Sequence, residues 1–268
     1  MNLKIAFIVA GLLICRASFS QEDAGSFRQY SYLLYGKGTN GIVTGSAAGT
    51  CFFVRKGGRL FLITAKHVLC GCGGGKKSEY YPDKLMVRRM GGMDTLAIDI
   101  SRIRDTATLM EPYLEPDVMA MEVPNDTAIS SAERFLMPPF RKVGRLIACG
   151  YSGSAVMREG QLTSPAEASL MSFPKDSYLI GTAQDSASPA IDSLNYCIMP
   201  KGGASGIDFR GWSGSPVFIE DARSKKWRIC GVFVASSTQR QGIVFAAKIE
   251  YALQGISNLL ASDPELPR

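Results

Sequence analysis

The chain contains a single histidine, His67, so any step that needs an imidazole base must use it. It follows the apolar run Leu60-Phe-Leu-Ile-Thr-Ala65, which reads as the end of a strand, a place where a rigid scaffold can hold a ring at a fixed angle. Far downstream, Gly211-Trp-Ser213-Gly-Ser-Pro216 sets a serine among small residues. A tight turn of that kind projects the hydroxyl outward while neighbouring backbone N–H groups converge on one point. An acyl-transfer site presents its nucleophile and holds the oxyanion formed on attack in the same way. Gly211 and Ser213 are the expected N–H donors of that oxyanion hole. A serine hydroxyl is a poor nucleophile at neutral pH, and the imidazole that takes its proton needs a carboxylate to fix its tautomer. Asp117 is best placed, because it opens the apolar segment Asp117-Val-Met-Ala-Met-Glu-Val123 and would point from the rim of a barrel toward His67. Its rivals are Asp94, Asp99 and Asp105. Asp99 sits at an outward position of an alternating run, and Asp94 and Asp105 lack the following apolar strand. Taken singly, a lone histidine is an ordinary hydrogen-bonded residue and a Gly/Ser segment an ordinary turn. The order decides, since no histidine follows Ser213 and Asp23, beside the expected leader cleavage, is the only aspartate before His67. His, Asp, Ser is the arrangement that remains.

The elements that must position these groups are short. Across 268 residues the chain has 46% hydrophobic residues, 28 glycines, 13 prolines and only 20% charged residues, a balance that favours many strands joined by turns over a coiled coil or helical repeat. Cys51-Phe-Phe-Val54 and Leu60-Phe-Leu-Ile63, separated by Arg-Lys-Gly-Gly58, read as a hairpin. Further strands are expected near Leu85–Arg89, Thr95–Ile103, Val118–Val123, Leu146–Tyr151, Tyr178–Gly181, Tyr196–Met199, Val217–Ile219, Trp227–Val234 and Ile243–Ala247. No βαβ alternation occurs. The turn-rich stretch Pro124–Arg141 reads as the connector between two β units. Ile249, Leu253, Ile256 and Leu260 fall on one side at helical spacing, which predicts a terminal helix.

Met1-Asn-Leu-Lys4, the apolar run Ile5–Cys15 and then Arg16-Ala-Ser-Phe-Ser20 have the layout of a secretory leader cut after Ser20, implying a secreted or periplasmic protein. The apolar run is about half the roughly 20 residues of a membrane span, so no stable span is expected. A lipid anchor on Cys15 is disfavoured by the bulky Ile14 before it. Loss of Lys4 and Arg16 takes the 30 basic residues to 28 against 24 acidic ones, a net charge of +4 that is too mild to point to nucleic acid. Six cysteines remain, Cys51, Cys70, Cys72, Cys149, Cys197 and Cys230; disulfides are compatible with export, and their fifteen pairings stay open. Cys70-Gly-Cys72 lacks a second close pair or another histidine, so no metal site is expected, and no cofactor is implied.

Three segments together resemble the chymotrypsin-like serine peptidases, in particular the bacterial exported type. Thr64-Ala-Lys-His67 is similar to the family's T-A-x-H, Asp117-Val-Met-Ala-Met to D-[IV]-A-L-L, and Gly211-Trp-Ser213-Gly-Ser-Pro216 to G-D-S-G-G-P, with spacings of 50 and 96 residues that fit. The resemblance spans residues 41–261. It implies an all-β fold of two antiparallel Greek-key barrels packed across a cleft, with a C-terminal helix. The expected divisions are a leader (1–20), an N-terminal extension (21–40), an N-terminal barrel (41–130), a C-terminal barrel (131–248) and a helix (249–262). It also implies a serine endopeptidase acting on a protein or peptide through an acyl-enzyme, with His67, Asp117 and Ser213 as triad and Gly211 and Ser213 as oxyanion hole. Val234, Ala235 and Ser236 would pair with the substrate backbone, and Ile207 would floor a pocket for an apolar or small side chain. Two departures stand out. Trp212 replaces the family's aspartate before the nucleophile and no I-V-G-G start lies at the usual distance, which implies activity without proteolytic activation. Cys70 lies three residues after His67 where the family places a cysteine directly after, which leaves a Cys51–Cys70 bridge as one option. The competing readings are a catalytically inactive relative that binds peptides or proteins through the same cleft, and an esterase on the same triad.

Overall fold

Gly57 and Gly58, both at positive φ (61° and 74°), close a two-residue turn between β2 (Val43–Lys56) and β3 (Arg59–Thr64), with Lys56 paired to Arg59. That conformation matches the right-handed twist of the flanking strands and is open to glycine at both positions. The hairpin anchors the first sheet of the computed structural model. Described are residues 24–37, 43–70, 84–89, 94–99, 116–136, 143–151, 157–158, 161–162, 168–175, 177–181, 194–201, 209–237 and 243–261. Ile207, Asp105, Cys72 and the leader fall outside them.

The first sheet is antiparallel, with strand order β5-β4-β1-β2-β3-β6, built with β1 (Tyr32–Lys37), β4 (Lys84–Arg88), β5 (Asp94–Asp99) and β6 (Met119–Val123). β1 lies within the segment expected to be an extension (21–40). It is an interior strand, and Tyr32, Leu33, Leu34 and Tyr35 are each no more than 1% exposed. Burial on both faces removes the polar alternation by which a strand is recognised.

The second sheet has the order β10-β7-β13-β14-β15-β12-β11. It comprises β7 (Val143–Gly150), β10 (Ser169–Phe173), β11 (Tyr178–Gly181), β12 (Asn195–Pro200), β13 (Pro216–Asp221), β14 (Trp227–Ser237) and β15 (Ile243–Lys248), while β8 (Met157–Arg158) and β9 (Gln161–Leu162) pair as a separate ribbon. Its strands serve two cores in alternation. Leu146, Ala148, Val217, Ile219 and Phe233 turn into this barrel's own interior, whereas Ile147, Cys149, Phe218, Val232 and Val234 join a larger core shared with Phe52, Phe53, Phe61 and Ile63 of the first sheet. That two-sided burial, with period two, makes the strands near-continuous apolar runs and ties the two barrels together. Phe27, in the 3₁₀ segment Ala24–Tyr30, is fully buried between Phe135, Phe218 and Trp227.

The C-terminal helix (Ile249–Ala261) buries Ile249, Ala252 and Ile256 and packs mainly on β6, with Leu253 and Leu260 against the same core. Among the described residues no helix is long and apolar enough to cross a membrane. Cys51, Cys149 and Cys230 are buried free thiols, so the Cys51–Cys70 bridge is not formed. Cys51 is instead enclosed within the apolar core between the sheets.

Candidate active site

Register brings the first two groups together. β3 and β6 pair antiparallel with Thr64 opposite Met119, so the residues just beyond this pair, Ala65–His67 on one side and Asp117–Val118 on the other, meet at the end of the sheet. A one-turn helix (Lys66–Cys70) starts there and presents His67 at the sheet's edge. The Asp117 carboxylate grips it twice. Its Oδ1 accepts from the His67 backbone N–H at 3.0 Å, and its Oδ2 lies 2.6 Å from Nδ1. With the proton on Nδ1 donated to Asp117, Nε2 keeps its lone pair and can accept. Both side chains are partly shielded, 32% and 23% exposed, so the pair is reachable from solvent without being fully solvated. Asp94 and Asp99, the rivals within the described residues, pair opposite Arg88 and Lys84 on the edge strand β5.

Ser213 comes from the loop that enters β13. The loop docks on the first barrel beside the histidine turn. Gly49 stands where an added Cβ would come within 2.6 Å of Val68 Cγ1 and 3.1 Å of the Ser213 carbonyl oxygen. Gly214, at φ 92°, lies against the Thr50 carbonyl and the Thr64 hydroxyl, where any side chain would overlap both. The Ser213 hydroxyl makes one long contact, 3.5 Å, to the Val234 carbonyl. It is therefore not locked into the protein's own hydrogen bonding, and rotation about one bond redirects it.

Almost every backbone group of this loop is paired. The Trp212 N–H donates to the Phe209 carbonyl at 3.1 Å, Gly214 N–H to Phe233 at 2.7 Å, and Ser215 N–H to Trp212 at 2.9 Å. The carbonyls of Gly211, Trp212 and Ser213 each accept a hydrogen bond, the first from Thr50 Oγ1 at 2.9 Å, the second also from Ser215 Oγ at 2.6 Å, the third from Thr50 N–H at 2.8 Å. The N–H groups of Gly211 and Ser213 find no acceptor among the described residues. Both residues are only half-buried. Gly211 adopts φ 85°, which a residue with a side chain rarely takes. Backbone N–H groups left free in this way are available to donate to an oxyanion.

Trp212 is 1% exposed and turned into the second barrel, edge-on to Phe209 with ring centroids 5.5 Å apart and 6.0 Å from Phe233. A buried indole here leaves no acidic partner for an N-terminal amine. Val234, Ala235 and Ser236 lie on β14, which passes Ser213. Val234 is at an irregularity in the β14–β15 pairing, Ala235 is exposed and Ser236 half-buried. Three buried thiols, Cys51, Cys149 and Cys230, are not competing nucleophiles. Burial holds Cys51 far above its ordinary value and pushes Cys149 and Cys230 up to about 12, so none is a thiolate at neutral pH. Among the described residues no three metal-ligating side chains cluster. The sequence gives no sign of Thr50 or Ser215 as holders of the loop, since their partners are fixed by folding.

The same architecture occurs in proteases of known structure. Neuropsin, a serine protease from mouse brain, superposes with a TM-score of 0.52 at 15% identity, over 87% of this chain and 95% of that one. The Rv3671c protease of M. tuberculosis in its active form gives 0.50 at 15%, over 90% and 85%. Tobacco etch virus protease complexed with product gives 0.50 at 14%, over 90% and 82%. Neither a protein-family profile nor a curated sequence matches the chain. At such identities the likeness concerns the fold, which is the two-barrel, all-β fold of the chymotrypsin-like proteases.

Proposed function

We propose that the protein is a serine endopeptidase exported to the periplasm or beyond the cell. One observation carries this reading. The Asp117 carboxylate holds both the His67 ring at Nδ1 and the His67 backbone N–H, and the loop that carries Ser213 and two N–H donors without an acceptor among the described residues docks beside the histidine turn at Gly49 and Val68. In the reaction, His67 Nε2 takes the Ser213 hydroxyl proton as Oγ bonds to the scissile carbonyl carbon. The carbonyl oxygen becomes an oxyanion held by the Gly211 and Ser213 N–H groups. The imidazolium, stabilised by Asp117, then protonates the leaving amine as the C–N bond breaks, giving an acyl-enzyme. A water molecule that loses its proton to His67 attacks the ester, and Ser213 is released. The β14 segment Val234–Ser236 pairs with the substrate backbone, and Ile207 favours an apolar or small side chain before the cut. With Trp212 in place of an acidic residue, the enzyme is active without a proteolytic nick. The leader-like segment before residue 21 supports export.

The test is digestion of a denatured protein such as casein by the chain lacking residues 1–20. Cleavage by the wild type, abolished in Ser213→Ala, supports the reading. Turnover of small esters with no cleavage of any protein would instead make the protein an esterase. Peptide binding without turnover would make it a non-catalytic relative.

A further inference from the structure

The nucleophile loop belongs to the second barrel, yet two of its carbonyls are held by one residue of the first. Thr50, on β2, donates its backbone N–H to the Ser213 carbonyl at 2.8 Å and its hydroxyl to the Gly211 carbonyl at 2.9 Å. A threonine hydroxyl has one proton, and this one also accepts from the Tyr151 N–H at 3.0 Å, so its proton is directed onto Gly211. The Thr50 carbonyl accepts in turn from Thr64 Oγ1 at 2.7 Å, three residues before His67. Thr50 is fully buried, so water does not compete for these contacts.

Peptide groups are planar, so holding one end of each fixes the direction of the other. The plane joining Gly211 to Trp212 is tied at both ends, by Thr50 Oγ1 and by the Phe209 carbonyl. The plane joining Ser213 to Gly214 is tied likewise, by the Thr50 N–H and the Phe233 carbonyl. Gly211 is the flexible joint next to the first of these planes, and its own N–H is one of the two unpaired donors. We propose that Thr50 is a positioning residue that keeps the Gly211 and Ser213 N–H groups convergent before any substrate arrives. It does so from the barrel that carries His67. A permanently formed donor pair also accounts for activity without a nick. This inference rests on the endopeptidase reading and adds to it the residue that holds the oxyanion site open.

The experiment compares Thr50→Val, which keeps the backbone N–H and removes the hydroxyl, with Thr50→Ser, which restores it. On a peptide substrate, T50V lowers kcat by about 10- to 100-fold, less than the roughly 10²- to 10³-fold loss of a whole oxyanion donor, with KM changed less than about twofold. A peptide boronic acid, whose tetrahedral adduct needs both donors, loses affinity by the same factor, whereas a product peptide does not. T50S recovers kcat to within about threefold of wild type. A folded T50V with wild-type kcat, or a loss residing in KM, or no recovery in T50S would overturn the inference. If T50V does not fold, the wild-type boronate adduct decides. Both Thr50 contacts are expected to persist with the boronate oxygen on the two N–H groups, and a loop that has left Thr50 would overturn it. A wild type that cleaves no peptide would instead overturn the endopeptidase reading itself.

Discussion

β13 begins and ends in a tight turn, and the two turns treat their backbone donors in opposite ways. At its end, Asp221 closes the turn with its own carboxylate. Oδ1 accepts from the N–H groups of Arg223 and Ser224 at 3.0 and 2.9 Å, and the backbone pairs Asp221 with Lys225 and Lys226. Lys225 is held at φ 58° in consequence. At its start, none of the described residues 209–215 around Ser213 carries a carboxylate. Trp212 occupies the position and faces the barrel interior, and the holding groups come from Thr50 and Ser215 and act on carbonyls. One turn satisfies its N–H groups and is structural. The other has the carbonyls of Gly211, Trp212 and Ser213 held and leaves the N–H groups of Gly211 and Ser213 without an acceptor among the described residues.

Breaking the open turn has the largest expected effect. Ser213→Ala and His67→Ala should each lower kcat by about 10⁶-fold, with the double variant hardly worse, because the groups act as one unit. Losses that multiply in the double variant would contradict this. Asp117→Asn keeps the shape but lets the imidazole take the wrong tautomer, and should lower kcat by about 10⁴-fold while the melting temperature changes little. Gly214→Ala forces a side chain into the Thr50 carbonyl and a φ of 92°, and should destabilise the fold by more than about 3 kcal/mol in denaturant unfolding. The closed turn gives the contrast. Asp221→Ala should cost about 0.5–1.5 kcal/mol of stability by removing the acceptor of the Arg223 and Ser224 N–H groups, which water can then solvate, and leave kcat/KM on a peptide unaltered. A fall in activity there would mean that the two ends of β13 are not independent.

The site was legible where chemistry restricts residue choice. A sole histidine, a serine between glycines and an aspartate opening a strand leave one order, and the β3–β6 register does bring His67 and Asp117 together. The β2–β3 hairpin was legible because Gly57 and Gly58 state its turn. Tyr32–Lys37 was not legible as a strand, since Tyr32 to Tyr35 are buried on both faces and show no alternation. Ser169–Phe173 was missed as well, because its five residues are short and lie among serine, proline and alanine. Thr50 was the least legible of all. Its partner Gly211 lies 161 residues away, and nothing local in Ala47-Ala-Gly-Thr50 marks it.

In the proposed reaction His67 activates Ser213. Mass mapping of the protein after reaction with a fluorophosphonate tests it most directly. A single phosphonyl group is expected on Ser213, greatly reduced in His67→Ala and absent in Ser213→Ala or in unfolded protein. Wild-type protein that remains unlabelled, or that carries the group on another residue, would contradict it.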